Sequence, residues 1–323
     1  MALLVLDRTE LDIRVDGDAL ALYESGTRRG TVPIKLMDRC VIHGARTKLD
    51  TGVLQRLAEA GVTTVLISPR AQRRAAIVLG NQHNDAAVRI AQALRVMNQQ
   101  ECWQWSAGIV RAKLARQRKT LSLMQQERPD ARKPLFDAIQ TIDSIQAHLR
   151  EFGATTGAVA SIRGWEGAAA RAYFAALGSV FPPALGFAGR NRRPPKDPVN
   201  VCLSLSYTML HAQAIQQCTI TGLDPMLGFY HRPAFGRESL ASDLIEPLRP
   251  AVDAWVWELL RKRVLREDHF STNETGCMMG KAGRQIYYTE WEENQKPWQR
   301  WLRAQCQNLA KTLRNKGSLC LAE

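Results

Sequence analysis

At about Asp85 the hydrophobic rhythm of this 323-residue chain changes, and the two sides of the change demand different architectures. Before it, short apolar runs alternate with turn residues. Leu3 to Leu6, Leu11 to Val15, Leu20 to Tyr23, Gly30 to Ile34, Cys40 to His43 and Thr63 to Ser68 read as strands, punctuated by Asp16-Gly17-Asp18 and Ser25-Gly26. One helix, Thr51 to Ala60, is apolar at Val53, Leu54 and Leu57 and closes at Gly61. Short strands with one inserted helix predict a compact β-sandwich-like or barrel-like domain over residues 1–86. After the change, Val88, Ala91, Leu94 and Met97 share a helical face, and helical spacing dominates to the C-terminus. The expected fold class is α+β: a β-sandwich-like N-terminal domain followed by one all-α domain over residues 87–323.

Charge separates the same two regions. The formal net charge is +13, yet residues 1–88 hold 12 Lys and Arg against 10 Asp and Glu, leaving +11 for the rest. Such an excess points to a polyanionic partner such as nucleic acid. The N-terminal part has no acidic cluster and no Gly-rich phosphate loop, so no chemistry is assigned to it. Seven scattered cysteines without CxxC spacing argue for buried thiols in a reducing compartment. The opening MALLVLD lacks the basic region of a signal peptide. No apolar run approaches the ~18–20 residues that span a bilayer. A cytoplasmic protein away from membranes is expected.

Chemistry concentrates in Gly228 to Asp253, GFYHRPAFGRESLASDLIEPLRPAVD. His231 lies in a loop punctuated by Gly and Pro, and a helix then carries Asp243 and Glu246. Residues three apart share a helix face, so both carboxylates can address one spot. Hard oxygens with a neighbouring imidazole suit Mg²⁺ or Mn²⁺. Zinc is disfavoured, since no cysteine pair or second histidine stands at ligand spacing. Pro247 disfavours an unbroken helix, and Pro250 is placed to start another. A loop-capping histidine and a solvated aspartate would account for the same spacing.

Three further stretches stand out. Glu166 lies between Gly164 and Gly167, followed by alanines, which predicts close approach to another helix or a ligand. It reads equally as the partner of Arg163 or Arg171. Gly189 to Asn200 is a basic, Pro-rich loop with Arg192 and Arg193, feeding a helix opened by Asp197-Pro198. A helix from about Glu101 to Met124 carries Arg111, Lys113, Arg116, Arg118 and Lys119, either as a solvated face or as a phosphate-contacting one.

Three motifs in order, R-G-x-E-G-x-A-A-R-x-Y-F from Arg163, R-R-P-P-x-D-P-V-N from Arg192 and H-x5-R-x-S-L-A-x-D-L-x-E-P-x-R-P from His231, resemble the CRISPR-associated integrase family of spacer acquisition. The resemblance extends over nearly the whole chain and is weakest after about Asn273. It implies metal ligands Glu166, His231 and Glu246 with Asp243 beside them in the catalytic site, and Mg²⁺ or Mn²⁺ as cofactor. Arg163, Arg192, Arg193, Arg237 and Arg249 become candidates for DNA phosphate contacts or for tying the site together, alongside Arg111, Lys113 and Arg116.

The resemblance also implies a function: metal-dependent phosphoryl transfer in which a 3′-hydroxyl of a short pre-spacer duplex attacks a phosphodiester at the edge of a CRISPR repeat. It implies double-stranded DNA as partner, and a homodimer formed through the β-domain. Two such dimers would flank a dimer of a small ferredoxin-like CRISPR-associated adaptation protein. Two rivals remain at this stage, a metal-dependent nuclease acting on branched DNA in repair and a catalytically silent DNA-binding scaffold. The tryptophans at 255, 257, 291, 298 and 301 sit in helical contexts, where packing is expected over base stacking.

Overall fold

The computed structural model describes the chain except residues 1, 9, 44–45, 69–72, 81–82, 84, 152–158, 192–193, 275 and 323. It divides into two compact units, residues 1–84 with 280–297, and residues 85–279 with 298–323.

The first unit holds eight strands and one crossover helix in its N-terminal part. These are β1 Ala2–Leu6, β2 Leu11–Asp16, β3 Ala19–Glu24, β4 Thr27–Pro33, β5 Met37–Ile42, β6 Lys48–Leu49, α1 Thr51–Glu59, β7 Thr63–Ser68 and β8 Arg73–Val78. One sheet runs β4-β3-β2-β6 and the other β1-β5-β7-β8. The β3–β4 hairpin turns at Ser25 and Gly26, both at positive φ, the backbone a two-residue hairpin of matching twist requires. In the second sheet β1, β5 and β7 are parallel, which needs a crossover, and α1 supplies it between β5 and β7. Both sheets and α1 share one core through Leu6, Leu11, Ile13, Leu20, Met37, Ile42, Val53 and Leu57.

Helix α9, Lys281–Asn294, belongs to this first unit. Arg284 pairs with Asp7 at 2.7 Å, and buried Arg39 donates to Gln295 at 2.9 Å. Reading residues 87–323 as one domain left this return of the chain out, because a helical period does not say which core the helix joins.

The second unit contains α2 Ala86–Met97, α3 Gln99–Glu127, α4 Arg132–Glu151, α5 Val159–Gly178, α6 Pro198–Thr221, α7 Ser239–Ile245, α8 Arg249–Arg261 and most of α10, Lys296–Ala322. Helix α6 is its centre, buried along nearly every face. Asp197 caps it by accepting from the Asn200 N–H at 2.8 Å, Pro198 opens it, and Gly222 closes it in the left-handed region. The unit is helical with one exception to the all-α expectation, the hairpin of β9 Phe270–Asn273 and β10 Gly276–Met279. Gly276 lets that hairpin meet the Pro194-Pro195 loop, since a Cβ there would lie 2.6 Å from the Pro195 carbonyl oxygen. The six cysteines described throughout are free and buried. No described helix is long and apolar enough to cross a membrane.

Candidate active site

Three segments of the second unit build the site. Helix α7 stops at Ile245, a 3-10 turn spans Glu246–Leu248, and α8 begins at Arg249, so the bend expected at Pro247 is present. Glu246 is thereby turned toward α3 and α5. Lys113 of α3 donates to Glu246 Oε2 at 2.6 Å and also to Glu166 Oε1 of α5. Two glutamates far apart in sequence converge on one ammonium. Arg249 adds a second cation, Nη2 to Glu246 Oε1 at 3.2 Å.

Burial pushes the Glu246 carboxyl up, but the Arg249 and Lys113 charges outweigh it and hold the group at about 2. Burial likewise works against charge on Lys113, and the Glu246 and Glu166 carboxylates reverse it, so the ammonium is retained more firmly than usual.

Asp243 has a different task from the one its spacing suggested. It is wholly buried and accepts from the backbone N–H groups of Phe229, Tyr230 and His231 at 2.8–3.0 Å, and from His231 Nδ1 at 2.6 Å. This carboxylate folds the histidine loop around itself, and by taking Nδ1 it leaves Nε2 as the imidazole's lone-pair nitrogen. His231 lies within electrostatic reach of Glu246. Gly228 makes the loop possible, since a Cβ there would sit 2.6 Å from the Ser239 carbonyl carbon. Buried Gln92 of α2 clamps the preceding turn through the carbonyls of Asp224 and Leu227 and the Asp224 N–H. Arg163 donates to the Tyr230 carbonyl at 2.6 Å, tying α5 to the same loop.

The basic residues divide sharply. Lys113, Arg163 and Arg249 hold the site together instead of facing a phosphate rail. Arg116 donates to the Pro247 carbonyl at 2.7 Å and lies over the Trp301 ring, so it buttresses the 3-10 turn. Arg111 and Arg237 are exposed. Arg192 and Arg193 lie outside the described residues. The tryptophans pack, as expected: Trp255 meets Trp298 edge-on and Trp257 donates to the Val180 carbonyl.

Two expectations change. Gly164 and Gly167 do not serve a tight crossing, because a Cβ at Gly164 would meet open space and one at Gly167 only the end of Arg171. Lys113 was read as part of a basic run, yet it falls on the buried stripe of Val110, Leu114, Gln117 and Leu121. A lysine at the core spacing of a helix was the available signal for a buried counterion. Behind the site, Tyr207 and Tyr173 donate to buried Asp253, and Arg249 lies 4.7 Å over the Tyr207 ring. Sequence reasoning did not single out these three residues.

The profile of a family described as CRISPR associated protein Cas1 matches residues 4–293. The chain belongs to the Cas1 family. A CRISPR-associated endonuclease Cas1 from Thermodesulfovibrio yellowstonii is 34% identical over 296 residues, 91% of each chain. Among solved structures, a casposase bound to integration product aligns with a TM-score of 0.84 at 20% identity, over 98% of this chain and 91% of its own. A chain of a Cas6-RT-Cas1–Cas2 complex aligns with a TM-score of 0.81 at 23% identity, over 98% of this chain and 35% of its own. At such identities these two structural likenesses speak to the fold, and the membership rests on the profile and the endonuclease relative.

Among the described residues no three His, Cys, Asp or Glu side chains form a ready metal group. The donor chemistry nevertheless fits a hard divalent cation. Two carboxylates from different helices already converge on one positive charge, beside an imidazole whose Nδ1 is committed to Asp243.

Proposed function

We propose that this chain is a metal-dependent DNA integrase and endonuclease of CRISPR adaptation that inserts short foreign DNA at repeat ends. The observation that carries this reading is the convergence of Glu166 and Glu246 on one cation beside an Asp243-held histidine, in a Cas1-family chain. Glu166, Glu246 and His231 through Nε2 would hold Mg²⁺ or Mn²⁺, in the space that the Lys113 ammonium shares with both glutamates. Bound there, the metal would supply Lewis-acid stabilisation of charge on the phosphoryl oxygens.

The chain's own residues do the positioning. Asp243 and Arg163 fix the histidine loop, Arg249 and Arg116 fix the turn that presents Glu246, and Lys113 draws Glu166 and Glu246 together. In the reaction a DNA 3′-hydroxyl oxygen bonds to phosphorus as the bond to the leaving 3′-oxygen breaks, with no covalent protein intermediate. Water as the attacking group gives nicking at the same site.

Double-stranded DNA, pre-spacer and repeat alike, is the partner that the +13 charge suits. A homodimer, with two dimers flanking a dimer of the small ferredoxin-like adaptation protein, is the assembly that the family resemblance implies, and a Cas1–Cas2 complex stands among the structural neighbours. A cytoplasmic site of action follows from work on a CRISPR array.

The test is strand transfer of a labelled duplex with free 3′ ends into a supercoiled plasmid bearing a CRISPR repeat, with the small partner added. Joined product should form with Mg²⁺ or Mn²⁺ and vanish with chelator. Glu166→Ala should reduce it by at least about 10²-fold. Nicking without joining would favour a nuclease of branched DNA, and binding without chemistry would favour a scaffold.

A further inference from the structure

We propose that Phe235 is a base-stacking residue that holds an unpaired DNA base beside the active site, an inference that rests on the DNA-directed reading above. Phe235 is fully exposed, more so than any other large apolar side chain described. A tip that faces only water is ordinarily built from small or polar residues. It sits on a tight turn closed by the Ala234–Arg237 bridge, with the Arg237 N–H donating to the Ala234 carbonyl at 3.1 Å and Gly236 in the left-handed region.

That turn is anchored at both ends. Asp243 holds His231 on one side, and the Ser239 hydroxyl donates to the Arg232 carbonyl at 3.0 Å on the other. The ring is therefore presented by a braced loop. Four chain steps from His231 bound the Cα separation at about 14 Å, roughly four base-pair steps of a duplex. Nucleotides a few steps along a strand whose phosphodiester lies at Glu166 and Glu246 are removed from it by a comparable distance.

Arg232 and Arg237 stand three residues before and two after Phe235 in the chain, both exposed, and no ion pair among the described residues includes either. An exposed aromatic ring on a turn that also carries two exposed arginines matches a nucleic-acid strand, whose phosphates would meet the arginines while a base covers the ring. Within a duplex the base faces are already stacked, so the ligand is a base in a single-stranded tail or an opened junction.

The test uses the full chain in chelator-containing buffer with two DNAs: a blunt duplex, and the same duplex with a four-nucleotide 3′ tail carrying 2-aminopurine at each tail position in turn. Wild type should bind the tailed DNA and quench 2-aminopurine at one position. Phe235→Ala should lose about tenfold in affinity for tailed DNA, lose the quenching, and bind the blunt duplex unchanged. Phe235→Trp should retain both signals, and Phe235→Leu should behave like the alanine variant, because area without a π-face does not stack. A side chain this exposed leaves the melting temperature unmoved, which checks folding. Equal losses on both DNAs, or a leucine variant as good as wild type, would overturn stacking. An alanine variant indifferent to either DNA would also overturn it and turn the residue toward a protein contact. Wild type that binds neither DNA would instead remove the reading under Proposed function.

Discussion

Glu246 and Asp253 stand seven residues apart, one in the 3-10 turn and the other in α8, and both are almost wholly buried. Burial pushes both carboxyls up, yet Glu246 is held at about 2 whereas Asp253 rises to about 6. The partners make the difference. Glu246 touches two full positive charges, Arg249 and Lys113. Asp253 is met by two neutral hydroxyls, and the positive charges of Arg249 and Arg190 act on it less strongly than those bonds. Neutral donors satisfy a buried carboxylate's lone pairs without cancelling its charge. One acid is kept ionised between two cations, and the other serves as a clamp for Tyr207, on whose ring Arg249 rests before reaching Glu246.

The most damaging way to break that contrast is Lys113→Met. The substitution leaves Glu166 and Glu246 without their shared ammonium and makes Glu246 resemble Asp253. Breaking a buried ion pair from one side costs about 3–5 kcal/mol, so urea unfolding at neutral pH with chelator should show a loss of that size. The loss should shrink as pH falls through the carboxylate range, because a protonated glutamate needs no counterion. A variant as stable as wild type at every pH would mean that the ammonium does not hold the two acids.

The second prediction uses the opposite shifts. Glu246 has a folded pKa below its ordinary 4.5, so it contributes stability above that value and loses it as pH falls from about 4.5 toward 2. Asp253 has a folded pKa raised from 3.8 to about 6, so its favourable share is complete below 3.8 and is lost as pH rises through 6. Each shift corresponds to about 3 kcal/mol. In chelator, the stability of wild type minus Glu246→Gln should rise with pH between about 2 and 4.5. Wild type minus Asp253→Asn should fall between about 4 and 6. Parallel slopes would show that the charged partners of Glu246 do not set its proton affinity.

How much of this was legible depended on whether the cause was local. The period change near Asp85 is where α2 begins, with Asp85 accepting from the Ala87 N–H as its cap. The Pro247 bend and the Asp197-Pro198 opening are local too, and both were readable. The parallel order of β1, β5 and β7 was not, because pairing partners depend on where a crossover lands, and the return of α9 escaped for the same reason. In the site, Asp243 and Glu246 do share a short stretch, but residues three apart splayed to different tasks once the chain bent at Pro247. Lys113, Tyr207 and Asp253 matter through contacts more than 40 residues away in sequence, which spacing cannot reveal.

The smallest effect is expected where α3 meets solvent, and it sharpens the division between cations that build the site and cations that face outward. Two residues before Lys113, Arg111 points out of the core and lines a cleft of about 360 Å³ with Gly108, Ala112, Ala115, Gln146 and Arg150. If it contacts a DNA phosphate, Arg111→Gln should weaken duplex binding severalfold irrespective of sequence. The salt dependence should fall by about one unit of slope in log affinity against log salt. Unfolding free energy should stay within about 0.5 kcal/mol of wild type, as for an exposed substitution. Lys113→Met gives the reverse pattern, a large stability loss with little change in salt slope, because a cation already neutralised by two carboxylates releases few counterions from DNA. Titrating both variants against one duplex at several salt concentrations compares them directly. An unchanged slope for Arg111→Gln would remove Arg111 from the phosphate-facing surface.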